Sequence, residues 1–344
     1  MERANSLYTV LTTIAFLIGL AGNLAALWIL HKTARRRNKK HLFMLRCLAT
    51  NDIVAQIGML LLLHLLKAGV LPTYLGCSGF VLVRAFGLGS GCVAFVMALE
   101  RWLALTRPFF YHQLVTYQRL KIFLCGLWLT AVMLVYMPLF GFGLYYDAQK
   151  QRCTRFRHAT ELRDKIYAYL FFAFGSTLCL CLAFCNTSVI CELSRIRSQQ
   201  RVLVRRVSRS IISNRVGCAR YQTPEEVAFS KLMAVVCIIF VACWLPQLVT
   251  VPVSQFLTPS KGTQKFTAVA DALLTVYFAV DPFVYVLLRY FEGHLKFCYF
   301  SKKQNTGKTD KFVVKKQHTI DISPEIPCLP HPGEIISLEN LNGK

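Results

Sequence analysis

The chain has 344 residues, of which 55% are hydrophobic and 17% charged, and it carries a formal charge of +23. Soluble domains carry about 25% charged residues, so this composition excludes a water-soluble globular fold and points to a membrane. Nucleic acid is set aside as the partner of the basic charge, because the basic runs lack interleaved aromatics and any recognition motif.

A helix needs about 20 apolar residues to cross the hydrocarbon core of a bilayer. Runs of that length predict spans near 8–31, 42–66, 78–105, 120–143, 165–194, 228–253 and 266–288. The expected fold is all-α: a seven-transmembrane helix bundle over 8–289, after a short extracellular N-terminus at 1–7. Met1–Leu7 lacks the cationic start and cleavage pattern of a signal peptide, so the first span is expected to act as its own insertion signal. Tyr290–Phe300 alternates aromatic and cationic residues, which predicts a juxtamembrane amphipathic helix over 290–300. Residues 301–344 hold Pro324, Pro327, Pro330 and Pro332 without a sustained apolar period, the pattern of a disordered cytoplasmic tail.

Orientation follows from the cations. Lys32, Arg35, Arg36, Arg37, Lys39 and Lys40 crowd one connection, and Arg195, Arg197, Arg201, Arg205, Arg206, Arg209, Arg215 and Arg220 another; both are expected in the cytoplasm. The N-terminus then lies outside and the C-terminus inside a multi-pass plasma-membrane protein, although the outward 144–164 segment also holds five cations. The inner basic segments suit anionic membrane lipid.

Nine of the 14 cysteines fall within or at the ends of spans, where a thiol acts as a small apolar group. Cys77 and Cys153 alone fall beyond the bilayer on the oxidising side, so they are expected to pair. No zinc spacing, HExxH, GxSxG or phosphate-binding glycine loop is present, and no nucleophile–base constellation emerges, so an enzyme is not expected. A transporter would show internal repeats or acidic relays, and is the remote alternative.

Six span signatures stand in order: Gly22-Asn23, Leu48-Ala49-Thr50-Asn51-Asp52, Glu100-Arg101-Trp102, Trp128, Cys243-Trp244-Leu245-Pro246 and Asp281-Pro282-Phe283-Val284-Tyr285. Together they resemble rhodopsin-like G-protein-coupled receptors. Within that superfamily the chain is similar to prostanoid receptors, through Glu100–Pro108, Pro138–Tyr145, Cys185-Asn186 with Cys191, and Asp281–Tyr285 running into Leu287-Leu288-Arg289.

The resemblance implies a receptor for a lipophilic, anionic ligand, prostaglandin-like with the E type favoured, signalling through a heterotrimeric G protein and raising cyclic AMP. It also implies arrestin and receptor kinases as partners. A receptor for a different lipid or a small peptide is the alternative. The seventh-span arginine that holds the ligand carboxylate in prostanoid receptors is replaced here by Ala272, preceded by Asp271, and Lys150-Gln151-Arg152-Cys153-Thr154 replaces the usual loop motif. Arg84, within an apolar helix, and Lys67, at the top of the second span, are candidate replacements; Asp271 is the alternative partner for Arg84. Arg152 and Arg155 are candidates for steering an anion inward. Val83 stands at the amine-receptor aspartate position and Thr275 at the retinal lysine position, so neither ligand has its partner.

The switch residues implied are Glu100, Arg101 and Glu226 as a cytoplasmic ion-pair cluster, Trp244 and Pro246 in the sixth span, and Pro282 and Tyr285 in the seventh. Asp52, Ser90 and Asp281 are the implied lining of a sodium site; no other cofactor is expected. Cys298 is a palmitoylation candidate. Ser208, after Arg205-Arg206-Val207, reads as a phosphorylation site. Asn186 matches a glycosylation motif but lies within a span, so it is expected to stay unmodified.

Overall fold

A computed structural model describes residues 2–32, 38–207, 224–258 and 260–280. The helices are α1 (Glu2–Lys32), α2 (Lys39–Lys67), α3 (Thr73–Thr106), α4 (Pro108–Leu114), α5 (Tyr117–Tyr136), α6 (Leu162–Val207) and α7 (Pro224–Phe256), followed by α8 over 261–280. Six of them, α1 to α3 and α5 to α7, are long and apolar enough to cross a membrane, and α8 occupies the seventh predicted span as far as residue 280. Ser208, Asp281, Pro282, Tyr285, Cys298, the expected 290–300 helix and the 301–344 tail lie outside the described residues, as does the Glu226 side chain.

Local chemistry sets the boundaries. Asn38 caps α2 by accepting from the Lys40 amide at 3.0 Å, and Thr116 caps α5 by accepting from the Arg119 amide at 3.3 Å, which satisfies amides that a helix start leaves bare. Pro108 opens α4, where its missing amide hydrogen costs nothing. The fourth span was expected to run to residue 143, but Pro138 converts its end to a 3-10 turn, Met137–Phe140, closed by Gly141 at φ +84°. Two further differences are additions: α1 begins at Glu2, inside the expected N-terminus, and the 106–119 connection contains α4.

The bundle has an apolar exterior, and its largely apolar core encloses a few polar side chains. Ile14, Leu17, Leu61, Ile122, Met133, Leu180 and Ile238 are exposed, whereas Asn23, Asp52, Gln56 and Ser90 are buried. In water such an exterior would be a sticky patch; against lipid tails it is the stable arrangement.

Helix α3 is the hub, packing against α2, α5, α6 and α7. Gly87, Gly89 and Gly91 let three aromatic rings reach its backbone. A Cβ on Gly87 would lie 2.9 Å from Phe278 of α8, on Gly89 2.3 Å from Trp128 of α5, and on Gly91 2.5 Å from Phe240 of α7. Small residues are what permit such close helix approach in membranes.

Candidate functional site

At one end of the bundle the chain from Tyr145 to Ala159 folds inward. Cys77 and Cys153 form a disulfide, anchoring a two-stranded antiparallel hairpin, β1 (Tyr146–Asp147) with β2 (Arg152–Cys153), to α3. A 3-10 turn, Phe156–His158, follows. Gln255 of α7 donates to the carbonyls of Arg157 and Ala159, both at 3.0 Å, so this turn is fastened to α7.

Beneath it lies a cavity of about 340 Å³, within the range of small-molecule sites. Its wall is mostly apolar, with Phe16, Met59, Val83, Phe80 and Phe278, and Trp244 reaches it from α7. Arg84, Thr154, Arg155, Gln247, Asp271 and Thr275 are among its polar residues. Trp244 stacks on Phe240 with centroids 5.3 Å apart, and Phe240 meets Tyr277 edge-on at 5.5 Å. A ligand touching Trp244 is thereby in contact with the ring that seats on Gly91 of α3.

The charges divide unevenly. Asp271 accepts from Arg157 Nη1 and Nη2, both at 3.1 Å, and pairs with Arg155. Gln247, in the amide orientation that satisfies both neighbours, donates to Asp271 Oδ1 at 2.9 Å and accepts from Arg155 at 3.2 Å. The alternative of an Arg84–Asp271 pair is therefore corrected: two arginines from the 3-10 region hold the carboxylate instead. Arg84 has no hydrogen bond or ion pair among the described residues; its guanidinium stands over the Phe156 ring, 5.4 Å from the centroid. Arg84, Arg155 and Arg157 against Asp271 leave this end of the cavity positive. His158 feels the same excess: burial first, then Arg157, Arg155 and Arg152, lower its pKa below the usual 6.5, against a smaller opposing pull from Asp271.

Two other expected ligand residues stand apart from the cavity. Lys67 ends α2 and Arg152 sits on β2, both exposed, and neither lines the wall. The buried hydroxyls of Thr154 and Tyr167 and the indole N–H of Trp244 lack hydrogen-bond partners among the described residues.

At the opposite end Glu100 and Arg101 are both buried. Arg101 Nε donates to Glu100 Oε2 and Nη2 to Oε1, each at 2.6 Å. Tyr111 of α4 donates to Glu100 Oε1 at 2.6 Å. His41 of α2 places Nε2 2.6 Å from Arg101 Nη2, accepting when its proton is on Nδ1. Between the two ends, Ser90 Oγ donates to Asp52 Oδ1 at 2.6 Å. That carboxylate and hydroxyl are suitable oxygen donors for a hard cation, but among the described residues they are two donors rather than a full shell. Sequence reasoning missed Phe156, Arg157, Gln247, His41 and Tyr111; only the cation density of 150–158 hinted at the first group.

A ligand-sized cavity at one end of membrane-crossing helices, with a charged latch at the other, is the build of a membrane receptor. Residues 22–285 match the family described as 7 transmembrane receptor (rhodopsin family), and the chain belongs to that family. It is 26% identical to the prostaglandin E2 receptor EP3 subtype of Oryctolagus cuniculus over 326 residues, covering 85% of this chain and 75% of that protein. It is 26% identical to the human prostaglandin E2 receptor EP2 subtype over 304 residues, covering 81% and 82%. The Gq-coupled rhodopsin of Mizuhopecten yessoensis is 25% identical over 251 residues, covering 71% of this chain and 49% of that protein.

Proposed function

We propose that this receptor binds a lipophilic ligand bearing one anionic group, prostaglandin-like with the E type favoured, and signals through a heterotrimeric G protein to raise cyclic AMP. The observation that carries this reading is Arg84: a guanidinium facing an apolar cavity with no carboxylate of its own. An arginine within a membrane span costs about 2.5–3.5 kcal/mol unless it is paired or faces a cavity. A ligand carboxylate would supply charge-assisted hydrogen bonds where water is scarce, while the apolar wall takes the hydrocarbon. The similarity to prostaglandin E2 receptors supports the same class.

In this reading the disulfide end is extracellular, and the Glu100 end and the C-terminus are cytoplasmic, as the basic connections favour. In this reading α7, with its Pro246, swings away from the Glu100–Arg101 end of α3 and admits the G protein. Glu226, Pro282 and Tyr285 belong to the same movement, with sodium held by Asp52, Ser90 and Asp281 in the resting state. Phe109 and Phe110 of α4, both exposed at this end, offer the G protein an apolar handhold. Receptor kinases and arrestin act on the cytoplasmic side, where Ser208 and a lipidated Cys298 would lie.

The test is cyclic AMP and calcium in cells expressing the chain, challenged with a prostaglandin panel beside Arg84→Ala at matched surface level. A response lost in the variant supports the anchor. A response that survives removes Arg84 from recognition, and silence from surface-expressed wild type sinks the prostaglandin assignment in favour of another lipid or a small peptide.

A further inference from the structure

The carbonyl of Phe278 has an unusual partner. In an α-helix the carbonyl of residue i accepts from the amide of residue i+4, and residue 282 is a proline, which has no amide hydrogen to give. Within a membrane no water is at hand to replace that donor. Gln56 of α2 does so: its Nε2 donates to the Phe278 carbonyl at 2.6 Å, with the side chain fully buried.

Both ends of the Gln56 amide are used, since its Oε1 accepts from Asn23 Nδ2 of α1 at 3.5 Å. Gly19 of α1 makes the junction geometrically feasible. A Cβ there would lie 2.4 Å from Gln56 Nε2 and 2.6 Å from the Phe278 carbonyl oxygen. Three helices thus converge on the one carbonyl that the proline deprives of its donor, and Asp52, one helical turn away on α2, bonds to Ser90 of α3.

We infer that Gln56 is a positioning residue for α8: by donating to the Phe278 carbonyl, which a proline at position 282 cannot serve, it ties α8 to α2 and α1. The tie coexists with a closed Glu100–Arg101–Tyr111 cluster, the arrangement taken as resting in the proposed function. Its loss leaves a buried carbonyl without a donor. The inference rests on the proposed G-protein switch but not on the identity of the ligand.

The experiment is a double-mutant cycle on the full chain with Gln56→Leu, Pro282→Ala and their combination, since coupling between two sites appears as non-additivity. Thermal unfolding of purified receptor and ligand-free nucleotide exchange across a panel of heterotrimers are both read. Gln56→Leu alone is expected to lower the melting midpoint by about 2–4 °C and raise ligand-free exchange about fivefold. In the Pro282→Ala background, where residue 282 regains an amide hydrogen, the same change is expected to do little. Equal effects in both backgrounds would overturn the inference. If Gln56→Leu alone fails to reach the cell surface, recovery of surface yield by Pro282→Ala supports it, and continued loss overturns it.

Discussion

Asp271 and Arg157 meet through two parallel hydrogen bonds, Nη1 to Oδ1 and Nη2 to Oδ2, each 3.1 Å long. The pair joins α8 to the 3-10 turn over the cavity, and Arg157 is buried. A bidentate guanidinium–carboxylate pair is strong and directional, and removing one partner strands the other. Asp271→Asn is therefore expected to destabilise the receptor by about 1–3 kcal/mol, read as a lower melting midpoint. Hydrogen exchange should rise at Arg152–Ala159 and stay unchanged around Glu100.

His158 gives the same region a pH dependence. Its pKa in the folded protein lies below the ordinary 6.5, so as pH falls through that value the unfolded chain takes up a proton before the folded one does. Stability is thus fully present above about pH 6.5 and declines below it until the folded histidine also protonates. Melting midpoints at pH 7.5 and 5.5 should differ less in His158→Gln than in wild type; an identical difference would remove His158 from the account.

Tyr111 is the most accessible member of the Glu100–Arg101 cluster. Tyr111→Phe deletes one hydrogen bond to the buried Glu100 carboxylate and leaves the Arg101 contacts in place. A bond of about 1 kcal/mol lost from the resting state alone corresponds to about a fivefold rise in ligand-free nucleotide exchange. Unchanged exchange at equal expression would show that this bond does not discriminate between the states.

Phe109 is 85% exposed on α4. Burying a phenylalanine side chain at an interface contributes about 1.5–3 kcal/mol, so Phe109→Ala should reduce G-protein activation about tenfold or more. Cavity occupancy, measured with whichever ligand proves active, should be unaffected. A parallel loss of binding would place Phe109 in the receptor's own fold rather than in its docking face.

The spans were legible because an apolar run of bilayer length has few other uses, and the disulfide because placing the spans left two cysteines beyond the bilayer on the oxidising side. The charges around the cavity were not legible. Asp271 and Arg157 lie 114 residues apart, and which of Arg84, Arg155 and Arg157 takes the carboxylate depends on how the 3-10 turn folds back beneath the hairpin. Lys67, at the end of α2, and Arg84, within α3, were both candidate anchors, yet Lys67 is exposed and Arg84 lines the cavity. Helix α4 was missed because seven residues beginning at Pro108 are too few for a periodic signal.

Gly87, Gly89 and Gly91 each receive a ring from a different helix. A screw displacement of α3 by one residue, about 1.5 Å along its axis with a turn of about 100°, would bring the side chains of Leu88, Ser90 or Cys92 against those rings, so the glycines hold α3 in register. In the proposed movement α3 is the stator and α7 the part that turns against it. A conformational probe fixed to α3 would serve as the reference frame, and a probe on α7 would report the stroke.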